Sequence, residues 1–268
     1  MPTLFDRPAL QRNRARADAD ALFLHDTLAA ELHERLNEVN RTFTSVAIVT
    51  GFPIFWTQAF PDATIVADDE VLALEPGAHD LVLHVMALHW ANDPVGQIIQ
   101  STRALRPDGL FQAVCLGGQT LHELRACLAQ AESEVTGGLS PRIAPMGEIR
   151  DLGALLQRAG LALPVADSVS VRTSYTSAFH LMRDLRNFGE ANALNARLRR
   201  PTKRAVFDRC AEIYAQSFAE DGKIIATFEF LFLSGWCPSA DQPKPLRPGS
   251  AKQRLADALR TDETKLPL

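Results

Sequence analysis

Four short apolar runs rich in β-branched residues, with helical stretches between them, constrain this chain more than any other feature. Ser45-Val46-Ala47-Ile48-Val49, Ala63-Thr64-Ile65-Val66-Ala67, Leu81-Val82-Leu83-His84-Val85 and Leu110 to Leu116 each read as a strand buried on both faces, the signature of a parallel sheet. Phe52 to Phe60, with Pro53 in its first turn, and Pro94 to Leu105, with Asp93 as N-cap, read as the helices between them. Arg106-Pro107-Asp108-Gly109 reads as a turn. Strand, helix, strand, strand, helix, strand with short links predicts right-handed βαβ units and an α/β, Rossmann-like fold with a mostly parallel sheet and helices on both faces.

The flanking sequence extends that domain. Leu22, Leu24, Leu28, Leu32, Leu36 and Val39 recur at three- and four-residue steps, so residues 1–43 are expected to be an N-terminal helical segment. Gln119 to Val135, Asp151 to Ala159, Ser177 to Arg186 and Pro201 to Phe218 read as helices. Val165 to Thr173 reads as a strand, and Ile224 to Trp236 as a long late strand after an Asp221-Gly222 turn. The expected organisation is an α/β domain over residues 44–237, a helical insertion at about 176–220 before the last strand, and an extended, loosely held tail over 238–268, where proline and charge dominate.

Ligands of open α/β sheets sit beyond the carboxyl ends of the strands, which makes the strand-end loops the candidate site. After the first strand the chain reads Val49-Thr50-Gly51-Phe52-Pro53. Gly51 is the single glycine between Thr44 and Leu74, and Pro53 removes a backbone donor, so the glycine-rich loop that cradles a nucleoside cofactor is absent. Gly51 is open to two readings, a plain strand-to-helix turn or a close approach to cofactor. Asp68 and Asp69 stand where a carboxylate can meet ribose hydroxyls or an adenine amine; they are equally good helix caps or solvated acids. Met86, His89 and Trp90 place a thioether, an imidazole and an indole at the next strand end, either as the wall of a nucleoside pocket or as core. Gly117-Gly118 follows the fourth strand as a hinge at the same sheet end. No general-base constellation stands out.

Charge and composition narrow the partners. The chain of 268 residues carries a formal net charge of −4, which gives no global pull toward nucleic acid. The basic run Arg197–Arg204 reads either as a solvated helix edge or as a docking patch. Four scattered cysteines without a CxxC pair, and seven histidines without HExxH or HxH spacing, give no metal site. No run reaches about 18 uncharged apolar residues, so no transmembrane segment is expected. Reduced thiols, and no basic-then-apolar leader before Phe5-Asp6-Arg7, lead to the expectation of a bacterial cytoplasm.

Taken in order, Val66-Ala67-Asp68-Asp69-Glu70, Asp80-Leu81-Val82, Leu88-His89-Trp90-Ala91-Asn92-Asp93 and Ala104-Leu105-Arg106-Pro107-Asp108-Gly109-Leu110-Phe111 resemble class I S-adenosylmethionine-dependent methyltransferases of the biotin-synthesis type. Phe5-Asp6-Arg7, Arg12-Asn13-Arg14-Ala15-Arg16, Gly117-Gly118-Gln119-Thr120-Leu121-His122-Glu123-Leu124-Arg125, Gly137-Gly138-Leu139-Ser140-Pro141-Arg142 and Gly189-Glu190-Ala191-Asn192 resemble the complex I assembly factor 5 family, as does Lys244-Pro245-Leu246-Arg247-Pro248-Gly249-Ser250-Ala251 near the C-terminus. The resemblance implies S-adenosylmethionine as cofactor, contacted by Gly51, Asp68, Asp69, Met86 and His89, with Trp90, Gly117 and Gly118 lining a substrate pocket. It implies action on a protein arginine or a small acid, and a protein substrate or partner. The family carries two βα units between its first strand and the Ala-Asp-Glu-Glu-like segment. Only about fifteen residues separate Gly51 from Asp68 here, which leaves room for one. The alternative is therefore a catalytically degenerate member of the fold that serves as an assembly or interaction factor.

Overall fold

A computed structural model describes residues 3–242 and the single positions 253, 257 and 261. The tail expected over 238–268 lies largely outside the described residues. Residues 1–238 form one compact unit and 239–268 a second. The first unit holds the whole sheet and its helices.

The sheet is built from β1 (Val46–Thr50), β2 (Thr64–Ala67), β3 (His79–Val85), β4 (Leu105–Leu116), β5 (Ala162–Tyr175), β6 (Ala219–Glu220) and β7 (Lys223–Trp236). Their order is β2-β1-β3-β4-β7-β5, with β6 paired to β7. The first four are mutually parallel, as the double-sided apolar runs predict. β7 is antiparallel to both β4 and β5. Strand direction leaves little trace in a period-two pattern, so sequence patterning reaches only the parallel half of the sheet. Asp221 at φ 49° and Gly222 at φ 76° close the β6–β7 hairpin, as two adjacent left-handed residues do in a type I′ turn.

Alternation along the strands sorts side chains into two cores. Ile48, Leu83, Val114 and Phe230 face one. Ala47, Val49, Val82, Phe111 and Leu231 face the other. Helices α2 (Phe23–Glu38), α3 (Pro53–Ala59), α5 (His122–Thr136), α7 (Ala178–Asn187) and α8 (Arg204–Ser217) contribute to the first core. Helices α4 (Pro94–Ala104) and α6 (Ile149–Arg158) cover the second. Asp93 caps α4 through the Gly96 N–H at 2.8 Å, as its position predicts.

Two local expectations are corrected. Arg106–Gly109 is not a separate turn: it lies within β4, where Asp108 takes φ 63°, the Asp108 amide donates to the Cys237 carbonyl just after β7, and the Cys237 amide donates to the Gly109 carbonyl. The register slip between His79 and Leu81 absorbs this irregularity. Helix α5 begins three residues later than expected, because Leu121 sits in the left-handed region at φ 54°.

One link positions the site. Between β1 and β3 the chain makes a single crossover through α3, and β2 pairs directly with β1, Val49 opposite Val66 and Thr50 opposite Ala67. Asp68 therefore follows the strand next to β1.

Candidate functional site

The strand-end candidates do not converge on one spot. Gly51, Asp68 and Asp69 lie with Thr50, Pro53 and Ala67 in a shallow cleft at the ends of β1 and β2. Met86 and Trp90 line a separate cavity of about 330 Å³. Gly117 and Gly118 line neither, since a Cβ on Gly117 would collide with the Glu229 carboxylate and one on Gly118 with that of Glu148. They serve a close strand-end approach rather than a substrate wall.

The first cleft is covered by α1 (Arg7–Arg14), whose arginines reach across the sheet end. Arg14 Nη1 donates to both oxygens of Asp68, at 2.8 and 2.9 Å. Arg7 donates to Asp68 Oδ2 at 3.1 Å and to the Asp68 carbonyl at 2.7 Å. The Arg14 and Asp68 side chains are 6% and 5% exposed, so this is an ion pair inside the protein. Burial pushes the Asp68 carboxyl up, but the two guanidiniums outweigh it and hold the pKa at about 2. Gln97 ties the same loop from below, donating to the Asp68 and Asp69 carbonyls at 3.2 and 3.0 Å and accepting from His84 at 2.8 Å. Asp69 remains 60% exposed.

Arg14 also sits on Gly51: a Cβ there would overlap its guanidinium, which lies 5.5 Å from the Phe52 ring centroid. Phe52 itself is buried against His25, ring centroids 4.5 Å apart. Burial depresses the His25 pKa to about 4; the charge of Glu190 opposes this, and those of Arg14 and His89 reinforce it.

The second cavity lies at the ends of β3 and β4, where Met86 and Leu116 meet Leu24, Leu121, Leu124, Phe188 and Phe228. Its carboxylate is Glu190, from the loop after α7. Trp90 Nε1 donates to Glu190 Oε2 at 2.6 Å, and His89 Nε2 lies 3.4 Å from the same oxygen. His89 Nδ1 accepts weakly from the Leu116 amide at 3.4 Å. His89 thus stands behind the cavity wall, orienting Glu190. Burial raises the Glu190 pKa, yet His89, Arg14 and Trp90 together bring it below the ordinary value. Sequence reasoning assigned no role to Arg7, Arg14 or Glu190, although all three fall in segments that carried the family resemblance.

Sheet order, two helical layers and a crevice beyond the parallel strand ends define a Rossmann-like methyltransferase fold. Residues 25–113 match the methyltransferase domain family. The arginine-hydroxylase NDUFAF5, mitochondrial, of Danio rerio is 40% identical over 75% of this chain and 63% of its own length. The Homo sapiens protein of that name is 38% identical over 71% of this chain and 55% of its own. A malonyl-[acyl-carrier protein] O-methyltransferase of Methylovorus sp. (strain MP688) is 35% identical over 66% and 57%. The chain is similar to class I methyltransferases, and among them to proteins of the assembly factor 5 and biotin-synthesis methyltransferase-like group. It spans somewhat under two thirds of the length of these curated relatives. The expectation of a bacterial cytoplasm is overturned by the comparisons, because the relatives in Danio rerio, Rattus norvegicus and Homo sapiens are mitochondrial proteins.

S-adenosylmethionine is the cofactor that the methyltransferase domain match supports. The cleft as it stands does not fit it. The approach to Gly51 is filled by Arg14, and both Asp68 oxygens that would meet hydroxyls or an amine are held by guanidiniums.

Proposed function

We propose that this protein uses S-adenosylmethionine and acts on an arginine of another protein, and that the structure is its closed state, with Arg14 in the cofactor's approach. The observation that carries the reading is the cavity at the ends of β3 and β4. It is apolar-walled with one polar corner, sits where open α/β folds take their ligands, and lies apart from the Gly51–Asp68 cleft, so one crevice serves each reactant. The NDUFAF5 relatives are named as arginine hydroxylases, which supports an arginine as the group acted on.

In this state Arg14 Nη1 is held by the Asp68 carboxylate, and a cofactor has to displace Arg14 to reach Gly51. Isothermal titration with S-adenosylmethionine tests this. The wild type is expected to bind weakly, Arg14→Ala at least tenfold more tightly, and Asp68→Ala not at all. Unchanged binding in Asp68→Ala rejects the assignment of that acid.

A second reading, a non-catalytic assembly or interaction factor, is favoured by the same Arg14–Asp68 pair, which plugs the cleft with the chain's own side chains. It predicts that Arg14→Ala gains no affinity for S-adenosylmethionine.

A further inference from the structure

Glu190 is the feature of the cavity at the ends of β3 and β4 that the family's cofactor chemistry does not account for. Its side chain is 8% exposed. Oε2 is fully engaged by Trp90 and His89, whereas Oε1 is buried and accepts no hydrogen bond. A buried carboxylate oxygen without a donor is costly, more so when charged, and a ligand that donates to it would remove that cost. The other cations that line the cavity do not complete it. Arg142 is spent on Glu132, at 2.6 and 3.0 Å, and on Thr202. Arg186 is exposed at the rim, where solvent screens it. Arg14 lies outside the cavity lining, in the neighbouring cleft; its charge reaches Glu190, but its hydrogen bonds go from Nη1 to Asp68 and none goes to Oε1.

We propose that Glu190 is the specificity-determining residue of a guanidinium receptor, with Oε1 accepting from the guanidinium of a protein arginine whose alkyl stem lies along Leu121, Leu124, Phe188 and Phe228. The inference rests on the reading that the protein acts on a protein arginine. Physical chemistry favours a guanidinium over an ammonium here. It is planar and more weakly hydrated, so leaving water costs it less, and it stacks on aromatic faces such as the indole of Trp90. An apolar cavity with one carboxylate suits a side chain that is a hydrocarbon stem ending in a charge. Trp90 and His89 fix Oε2, so Oε1 is held in place before any ligand arrives.

The test compares binding to the full chain of end-blocked Gly-Arg-Gly, of Gly-citrulline-Gly as its uncharged isostere, and of methylguanidinium, by ligand-observed NMR. The wild type is expected to favour the arginine peptide over the citrulline peptide at least tenfold, and Glu190→Gln to bring that ratio close to one. Met182→Trp, which fills the cavity and leaves Glu190 intact, is expected to abolish binding of the arginine peptide and methylguanidinium alike. A tenfold preference that survives Glu190→Gln overturns the assignment and leaves the arginine reading standing. Methylguanidinium binding that depends on Glu190, with no binding of the arginine peptide, keeps the receptor and rejects the protein-arginine reading. Wild-type affinity in Met182→Trp rejects the cavity as the site, and absence of methylguanidinium binding by the folded wild type rejects the receptor itself.

Discussion

Two buried histidines make the protein's stability depend on pH in the weakly acid range. His25 and His84 are held near pKa 4 against an ordinary 6.5, in both cases chiefly by burial. The unfolded chain binds their protons as pH falls through about 6.5, and the folded chain does not until near 4. Stability is therefore complete above the upper value and is lost on acidification between the two, by at most roughly 1.4 kcal/mol per pH unit for each histidine. Thermal unfolding followed from pH 7.5 to 4.5 is expected to show a steadily falling midpoint. His79, also buried, is shifted downward too, so His25→Gln should reduce the slope without abolishing it; an unaltered slope would mean that other groups carry it. At the same scale, Asp68→Asn leaves the buried Arg14 uncompensated and is expected to cost about 3–5 kcal/mol, read from denaturant midpoints.

Among the elements, α1 owes its place to the segment that follows α7. Asn13 donates to the Ala191 carbonyl at 2.9 Å, Asp6 pairs with Arg197 at 2.9 Å, and the Phe5 ring meets Trp90 edge-on at 5.0 Å. Gly189 permits the closest approach: it takes φ 77°, and a Cβ there would stand 3.0 Å from Arg14 Cα. Gly189→Ala is expected to cost about 1–2 kcal/mol for the left-handed conformation alone, lowering the melting point by a few degrees, and to raise affinity for S-adenosylmethionine as α1 is pushed outward. A variant that melts lower without binding better would separate the strain from the closure. These contacts also mark the limit of what the sequence made legible. The parallel strands and the capped helices follow from local patterning, and Asp68 was visible as a strand-end acid. Arg14 was not, because its partner is 54 residues away and nothing local in an Arg-rich helix says which guanidinium turns inward. Glu190 was equally hidden, since a lone acid beside a glycine reads as a loop residue until the fold closes a cavity around it. The antiparallel pairing of β7 with β4 and β5 depends on chain direction, which alternation does not encode.

Across the whole compact unit, the two cores meet through the sheet, so the central strands should be its most persistent part. Amide exchange is expected to be slowest in β1, β3, β4 and β7, each flanked by paired strands, and faster in α1, which is anchored through side chains to the loops after β2 and α7. Arg14→Ala should speed exchange in α1 and leave β3 and β4 as they were. Equal acceleration in those strands would show that α1 does not open separately from the core.

The burial of the Arg14–Asp68 pair has one more consequence, concerning ionic strength. Charges at 6% and 5% exposure sit out of reach of mobile counter-ions, so added salt weakens them far less than it weakens surface pairs such as Arg172–Glu220. Changes in the surrounding electrolyte will not unlock the cleft. What does so is a solute that displaces Arg14 from Asp68, and the protein thereby answers to the identity of a solute rather than to the saltiness of its medium.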